Sequence, residues 1–435
     1  MKISVVGTGY VGLVSGVCFS EFGFNVTCID NDVQKIERLQ SGITPIYENE
    51  LEKFMGKNMK AGRLSFTANM SEGVRDADIV FVAVGTPSKS DGSADLSYVY
   101  GAVDELSDHA DSGTVLVIKS TVPVGTTRNI KKFLHEKKID MEVAFNPEFL
   151  REGAAVEDFM HPDRVILGVE SLRARQILEK IYRPLYVLSV PIIFTKPETA
   201  ELSKYAANAF LALKITFINE VADLCERCEA DVCEVAHSIG LDKRIGEQFL
   251  QAGPGYGGSC FPKDTSALSD FSKKFGVSMP LVDESIRSNQ ARQDKMIKKI
   301  MRACGNDIKG KNLAILGVTF KANTDDMRDS PSIGIVNALL SGGAIISIYD
   351  PSFSEQAKRI FNNARWCSNA YDNCADADAV IIITDWAEFR AINFERLREK
   401  VRNPLLIDLR SMYPVHEVES SGFVYCSVGR PFLYG

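Results

Sequence analysis

The chain has 435 residues, of which 45% are hydrophobic and 25% charged, the composition of a soluble globular protein too long for one ordinary core. Its net charge is −7 with no block of Lys and Arg, which argues against general nucleic-acid binding and a polybasic membrane role; no run reaches the roughly 18 unbroken apolar residues of a membrane span. The ten cysteines follow no disulfide framework, so the expected setting is a reducing cytoplasm.

The opening MKISVVGTGYVGLVSGVCF has the Lys and the apolar run of a secretory signal, but its glycines follow a different rule. KISVVG reads as a strand; Gly7, Gly9 and Gly12 follow, then a helical pattern to Phe22, then a second strand, NVTCID, closing on Asp30. Strand, Gly-x-Gly-x-x-Gly, helix, strand and acid make a dinucleotide-binding fingerprint. Gly7 allows the tight turn, Gly9 lets the backbone approach a pyrophosphate, and Gly12 brings helix against sheet. The first N–H groups of the helix then face the phosphates. Asp30 accepts from a ribose 2′-hydroxyl but repels a 2′-phosphate by about 4 kcal/mol at an effective dielectric of roughly 20. The expected cofactor is therefore NAD rather than NADP, with Lys35 beside the ribose edge.

Further strands are predicted at DADIVFVAVGT (Asp76 to Thr86) and TVLVIKST (Thr114 to Thr121), each followed by a helical segment. Such alternation implies a parallel sheet with ligands beyond the carboxyl ends of its strands. Thr86 and Thr121 stand at such ends, as cofactor contacts or as plain turn residues.

From about Pro197 an uninterrupted helical pattern runs for about thirty residues, well above the usual length, enough to join two domains and to offer a dimer face. LCERCEADVC within it holds Cys225, Cys228 and Cys233. No second Cys or His pair at zinc spacing accompanies them, so no metal is expected.

An echo of the first half begins at NLAILG (Asn312 to Gly317). Ser330 and Pro331 open a helix, AIISIYD ends on Asp350, DADAVIIITDW repeats the earlier DAD-plus-strand, and LLIDLR echoes LVIKST. Its first turn, GVTFKANTDD, lacks the second and third glycines, which argues against another dinucleotide site. The predicted fold is α/β: two Rossmann-like, doubly wound parallel-sheet domains joined by a long central helix and a helical dimerisation region. The expected stretches are 1–195, 196–304 and 305–435.

Cys260 lies in GPGYGGSCFPKD. The preceding glycines make a loop that allows close approach to a ligand. Lys263 favours the thiolate, and Asp264 offers a carboxylate for proton transfer or water placement. Lys204 and Asn208 share a helix face and form a candidate oxyanion site or a solvated polar stripe. NPEFLREG places Glu148 and Glu152 in one loop, to work on a water or to cap the following helix. An NAD site, a nucleophilic thiol and an oxyanion stabiliser together suit two successive hydride removals through a thiohemiacetal and a thioester.

GxGYVG, STVPVGT, NPEFLREG, KYAANAFLALKI, GLDKRIG, FLQAGPGYGGSCFPKD and GVTFKANTDDMRDSP span nearly the whole chain. In this order they resemble the UDP-glucose 6-dehydrogenase family, one branch of the UDP-glucose/GDP-mannose dehydrogenases. The resemblance implies an N-terminal NAD domain, a central dimerisation region, a C-terminal UDP-binding domain, UDP-glucose as substrate and a homodimer. It implies Cys260 as nucleophile, Lys204 and Asn208 as oxyanion groups, and Asp264, Thr121 and Glu148 as the set that places water and moves protons. Tyr10, Val11, Asp30, Lys35, Thr86, Thr121, Glu152, Lys263 and Arg328 are the implied cofactor contacts. Implied substrate contacts run from Glu148 through Phe149, Leu150 and Arg151 to Glu152, with Lys204 and Asn208. Phe249, Leu250, Gln251, Ala252 and Gly253 continue the set, with Gly257 and Lys321. The alternatives are a sister enzyme for GDP-mannose or a UDP-N-acetylhexosamine, a two-electron β-hydroxyacid dehydrogenase, and a regulator without catalysis.

Overall fold

In the computed structural model, which describes residues 1–432 other than Ser90 and Ser112, the chain divides into two units, each built on one sheet. The first unit comprises Met1–Ala207 with Asp270–Val277; the second comprises Asn208–Ser269 and the chain from Ser278 onward. Residues 433–435, the end of the third predicted stretch, lie outside the described residues.

The first sheet contains β1 (Lys2–Val6), β2 (Asn25–Ile29), β3 (Leu64–Thr67), β4 (Ile79–Val82), β5 (Val115–Ile118), β6 (Glu142–Phe145), β7 (Val165–Gly168) and β8 (Ile192–Thr195). Its order is β3-β2-β1-β4-β5-β6-β7-β8. All neighbours are parallel except β6 and β7, which meet antiparallel at Phe145 and Gly168. β4 and β5 are buried along their whole length, the reason they read as continuous apolar runs rather than alternating ones. The order reverses between β1 and β4, opening a crevice beyond their carboxyl ends.

The second sheet contains β9 (Asn312–Leu316), β10 (Ile345–Tyr349), β11 (Arg365–Trp366), β12 (Ala379–Ile382), β13 (Leu405–Asp408) and β14 (Val424–Ser427). Its order, β11-β10-β9-β12-β13-β14, is parallel throughout and repeats the winding of the first sheet from β3 to β6. The echo in the sequence is thus an echo of topology.

The predicted long helix spans Pro197–Cys228, 32 residues. Pro197 opens it where a missing N–H costs nothing. One turn in, Glu201 is fully buried and accepts from Gly125 N at 2.6 Å, Thr127 N at 2.8 Å and Thr127 Oγ1 at 2.6 Å. It thereby caps the helix Thr126–Glu136 and ties the long helix to the sheet-bearing body of the first unit. Glu201→Ala leaves those donors buried without an acceptor, at a cost of about 2–3 kcal/mol. We expect calorimetry to show a lowered first-unit transition, with a smaller loss for Glu201→Gln, which keeps one acceptor.

Candidate active site

In the first unit, β1 runs into the turn Gly7–Gly9 and the helix Tyr10–Glu21. Gly7 adopts φ 97°. A Cβ on Gly12 would lie 1.9 Å from the Gly7 carbonyl oxygen, so only glycine lets helix and turn approach this closely. Gly9 takes the N-cap position without a capping side chain, leaving the first helical N–H groups directed at an anion. Val11 lies beside it on the same helix.

Asp30 follows β2. Its Oδ2 accepts from Thr8 N at 2.8 Å, Thr8 Oγ1 at 2.7 Å and Lys35 Nζ at 2.7 Å, while Oδ1 accepts from Asp32 N at 3.1 Å. Burial would raise this carboxyl, but Lys35 and Thr8 hold it below the usual carboxylate range. A fixed anion with capacity left at Oδ1 suits ribose hydroxyls and disfavours a 2′-phosphate. Across the crevice, the Thr86 hydroxyl donates to the Thr121 carbonyl at 3.0 Å, which brings these two predicted residues together. The crevice fits NAD on these observations.

The loop 146–153 is built inward. Glu148 Oε1 accepts from Lys204 Nζ at 3.1 Å, both side chains being nearly inaccessible, and Oε2 accepts from Leu150 N at 2.6 Å. Burial pushes this carboxyl up, but Lys204, the Leu150 N–H and Lys119 outweigh it, and Glu148 titrates below its ordinary range. The pocket holds it as a carboxylate. The Phe149 ring lies 3.7 Å from the Arg164 guanidinium and 5.3 Å from Lys204 Nζ. Leu150 packs on the core of this unit. Arg151 is turned to Asp158, at 2.7 Å, and Glu152 sits one residue beyond it, half-buried.

The first N–H of the helix Ala155–Met160 donates to Glu48. Its Oε1 accepts from Ala155 N at 2.8 Å, and its Oε2 from Gly153 N at 2.7 Å and from the Tyr10 hydroxyl. Glu48 therefore ties the loop to the dinucleotide turn. The only local hint of this in the sequence is an acid in a short polar stretch, GITPIYENE.

In the second unit, Cys260 immediately precedes the helix Phe261–Lys274, at the positive end of its dipole, which favours an anionic group. Ser259 Oγ lies 3.5 Å from its sulfur. One turn on, Asp264 is 1% exposed; it accepts from Asn208 Nδ2 at 2.6 Å and from Lys263 Nζ at 2.6 Å. The long helix thus sends Lys204 to Glu148 and, one turn later, Asn208 to Asp264.

The glycine loop before Cys260 is clamped. Gly253 N donates to Asn219 Oδ1 at 2.8 Å and Gly253 O accepts from Arg292 Nε at 3.0 Å. Asn289 meets both backbone groups of Tyr256, at 2.8 and 3.0 Å. A Cβ on Gly257 would lie 2.2 Å from the Asp329 carbonyl oxygen. Phe249, at φ 65°, lies tilted against Phe261 with centroids 5.9 Å apart.

A cavity of about 300 Å³ opens beside this loop, lined by Leu250, Gln251 and Ala252 together with His237, Arg390 and Arg410. Arg410 is fixed by bonds to the carbonyls of Ile383 and Phe320 at 2.8 and 3.0 Å. It follows β13 in a stretch, LLIDLR, that reads only as a strand. Lys321 lies 5.4 Å from the Phe320 ring centroid, and Arg328 pairs with Asp326 at 2.8 Å. Asp350, the counterpart of Asp30, is fully buried and spends Oδ2 on Val318 N, Thr319 and Trp386 Nε1. The second sheet leaves no acid there for a ribose. Among the described residues no group of three or more His, Cys, Asp or Glu is placed to hold a metal, and no helix is long and apolar enough to cross a membrane.

The UDP-glucose/GDP-mannose dehydrogenase family matches along most of the chain: its NAD binding domain over residues 1–186, its central domain over 198–291 and its UDP binding domain over 314–415. A UDP-glucose 6-dehydrogenase of Rhizobium meliloti (strain 1021) is 50% identical over 99% of this chain and 100% of its own. One from Rickettsia bellii (strain RML369-C) is 47% identical over 99% of each. Among solved structures, a UDP-glucose dehydrogenase from Pyrobaculum islandicum superposes with a TM-score of 0.90 at 36% identity, covering 99% of this chain and 98% of that one. A UDP-D-ManNAc dehydrogenase from Pyrococcus horikoshii gives 0.88 at 26% identity over 100% of both.

Two outcomes are expected. Asp30→Ala removes the ribose acceptor and weakens NAD about tenfold or more, by roughly 1.5–3 kcal/mol for a hydrogen bond to a charged group. The same change narrows the preference over NADP, which parallel titrations of the two cofactors measure. Asn289→Ala loosens the thiol loop alone: iodoacetamide should alkylate Cys260 faster, followed by mass spectrometry, with NAD affinity unchanged.

Proposed function

The chain belongs to the UDP-glucose/GDP-mannose dehydrogenase family, an NAD-using dehydrogenase family, and we propose that it oxidises UDP-glucose to UDP-glucuronate by removing four electrons in one site. The observation that carries this reading is Cys260 at a helix start with the buried Asp264 one turn away. A two-electron dehydrogenase has no work for that thiol. NAD takes up one hydride at each of two steps, so a turnover consumes two NAD and one water and releases two NADH and three protons.

The residues divide the remaining work. In the first oxidation the alcohol proton leaves to a base or to water as the C6 carbon gives up its hydride. The Cys260 thiolate then adds to the aldehyde carbon, and the new oxyanion is held by Lys204 and Asn208. Loss of the second hydride leaves a thioester. Asp264, Glu148 and Thr121 place and deprotonate the water that cleaves it, and the thiolate returns. Lys204 keeps Glu148 ionised, so its carboxylate is available as an acceptor for that water. Leu250, Gln251 and Ala252, with Arg410 nearby, form the wall on which the nucleotide of the substrate rests, and cationic Arg390 and Arg410 answer its phosphates.

The long helix also supports a homodimer. Phe210, Phe217 and Leu224 recur every seventh residue and are 63%, 53% and 63% exposed, an apolar stripe of the kind a second copy covers. Ten free cysteines suit work in the cytoplasm.

Counting NADH formed per UDP-glucose consumed tests the reaction. About two per substrate supports it; one points to a hydroxyacid-type enzyme, and preferred turnover of GDP-mannose or UDP-N-acetylmannosamine to a sister activity. In Cys260→Ser, net turnover should fall at least about 10³-fold while UDP-glucose binding by calorimetry persists. Phe217→Glu should shift the sedimentation coefficient from dimer to monomer.

A further inference from the structure

Lys119 directly follows β5 and is 3% exposed. The parallel register pairs Ile118 with Phe145, and Asn146 N donates to Ile118 O at 2.9 Å, so the residues just beyond the two strands lie side by side. There Lys119 Nζ donates to Asn146 Oδ1 at 3.1 Å. The same amide oxygen accepts from the Tyr182 hydroxyl, and Asn146 Nδ2 donates to Ile166 O at 3.1 Å. The Phe159 ring centroid stands 5.8 Å from Nζ. Asn146 is thus locked, and Glu148, two residues on, inherits its position.

The charge balance of this patch is uneven. One buried carboxylate, Glu148, is paired with buried Lys204, and a second buried ammonium faces the same pair. Burying an ammonium costs several kcal/mol, and here its acceptor is a neutral amide, Asn146 Oδ1, rather than a carboxylate. Stability gives no reason to keep it, since methionine fills similar volume without charge.

We propose that Lys119 is a positioning residue for Glu148: seated on Asn146, it is the second cation, with Lys204, that holds the Glu148 carboxylate charged and in place. The inference rests on the reading of Glu148 as a proton-accepting member of the site. Burial pushes the Lys119 ammonium down to about 8, with Glu148 opposing that fall and Lys204 adding to it. Lys119 is therefore charged below about pH 8 and its hold on Glu148 operates there. The other groups facing the patch are Lys204, paired with Glu148, Arg164 against the Phe149 ring, and Tyr182, which stays a neutral phenol because burial raises it. Taking a positive charge from beside a depressed carboxyl raises its pKa, so loss of Lys119 shifts the acid limb of turnover upward.

The test is the pH profile of kcat, at saturating NAD and UDP-glucose, for wild type, Lys119→Met and Lys119→Arg, with thermal unfolding of each. Lys119→Met should fold with a midpoint no lower than wild type. Its acid limb should move up by roughly one unit, making it several-fold slower along that limb, and it should converge on wild type once the pH is high enough to ionise Glu148 in both. Lys119→Arg should restore the acid limb. Equal slowing at every pH, an unshifted limb, or failure of both variants to fold would assign Lys119 a purely structural role and overturn the proposal. A wild type that makes no NADH from UDP-glucose sinks the functional reading and this inference together; an active wild type with an unshifted Lys119→Met sinks the inference alone.

Discussion

A carboxylate taken out of water must be answered by a cation or by several donors, and this chain answers two of them from consecutive turns of one helix. Lys204 meets Glu148 in the first unit and Asn208 meets Asp264 in the second. Removing Lys204 would take the ion-pair partner from a buried carboxylate, a change that costs about 3–5 kcal/mol, whereas without Asn208 Asp264 keeps its contact with Lys263. The helix Pro197–Cys228 therefore has to be straight and correctly phased where these residues leave it. Its lack of internal Gly or Pro, and the anchoring of its first turn by Glu201, serve that requirement.

The electrostatics are local rather than global. A chain of net charge −7 repels anions at long range, so recognition has to come from fixed groups at short range. At the dinucleotide turn those groups are backbone N–H donors, and no lysine is needed. Asp30 instead sets a negative charge beside that turn, held by Lys35 and Thr8. Beside the cavity of the second unit, Arg390 and Arg410 supply positive charge directly. The same strand order is thus used twice with different endings. Asp30 keeps an oxygen for a ligand, whereas Asp350 is buried and its Oδ2 is consumed by its own turn and Trp386.

The central strands were legible because they are buried over most of their length and read as largely apolar runs: β1, β2, β4 and β5 in one sheet, β9, β10, β12 and β13 in the other. β3, β6, β7, β8, β11 and β14 were not, although β4, β5, β12 and β13 are no longer than most of them; all but β7 carry a polar or exposed position that breaks the apolar run. The antiparallel join of β6 to β7 has no sequence signature at all. Lys119 hid inside a strand-like run, Arg410 inside LLIDLR, and Glu48 in a polar loop. Their importance depends on neighbours 27, 90 and 105 positions away, Asn146, Phe320 and Gly153.

The sequence by itself determined the glycine turn, the acid that closes the second strand, the glycine loop before Cys260 and the length of the helix, because each is a local rule about backbone freedom, charge or periodicity. Only the tertiary structure decided which carboxylate each polar residue of that helix answers, which acid ties the loop to the turn, and how far burial shifts each charge. Those outcomes follow from desolvation and from distances between groups remote along the chain, and neither is written in any short stretch of residues.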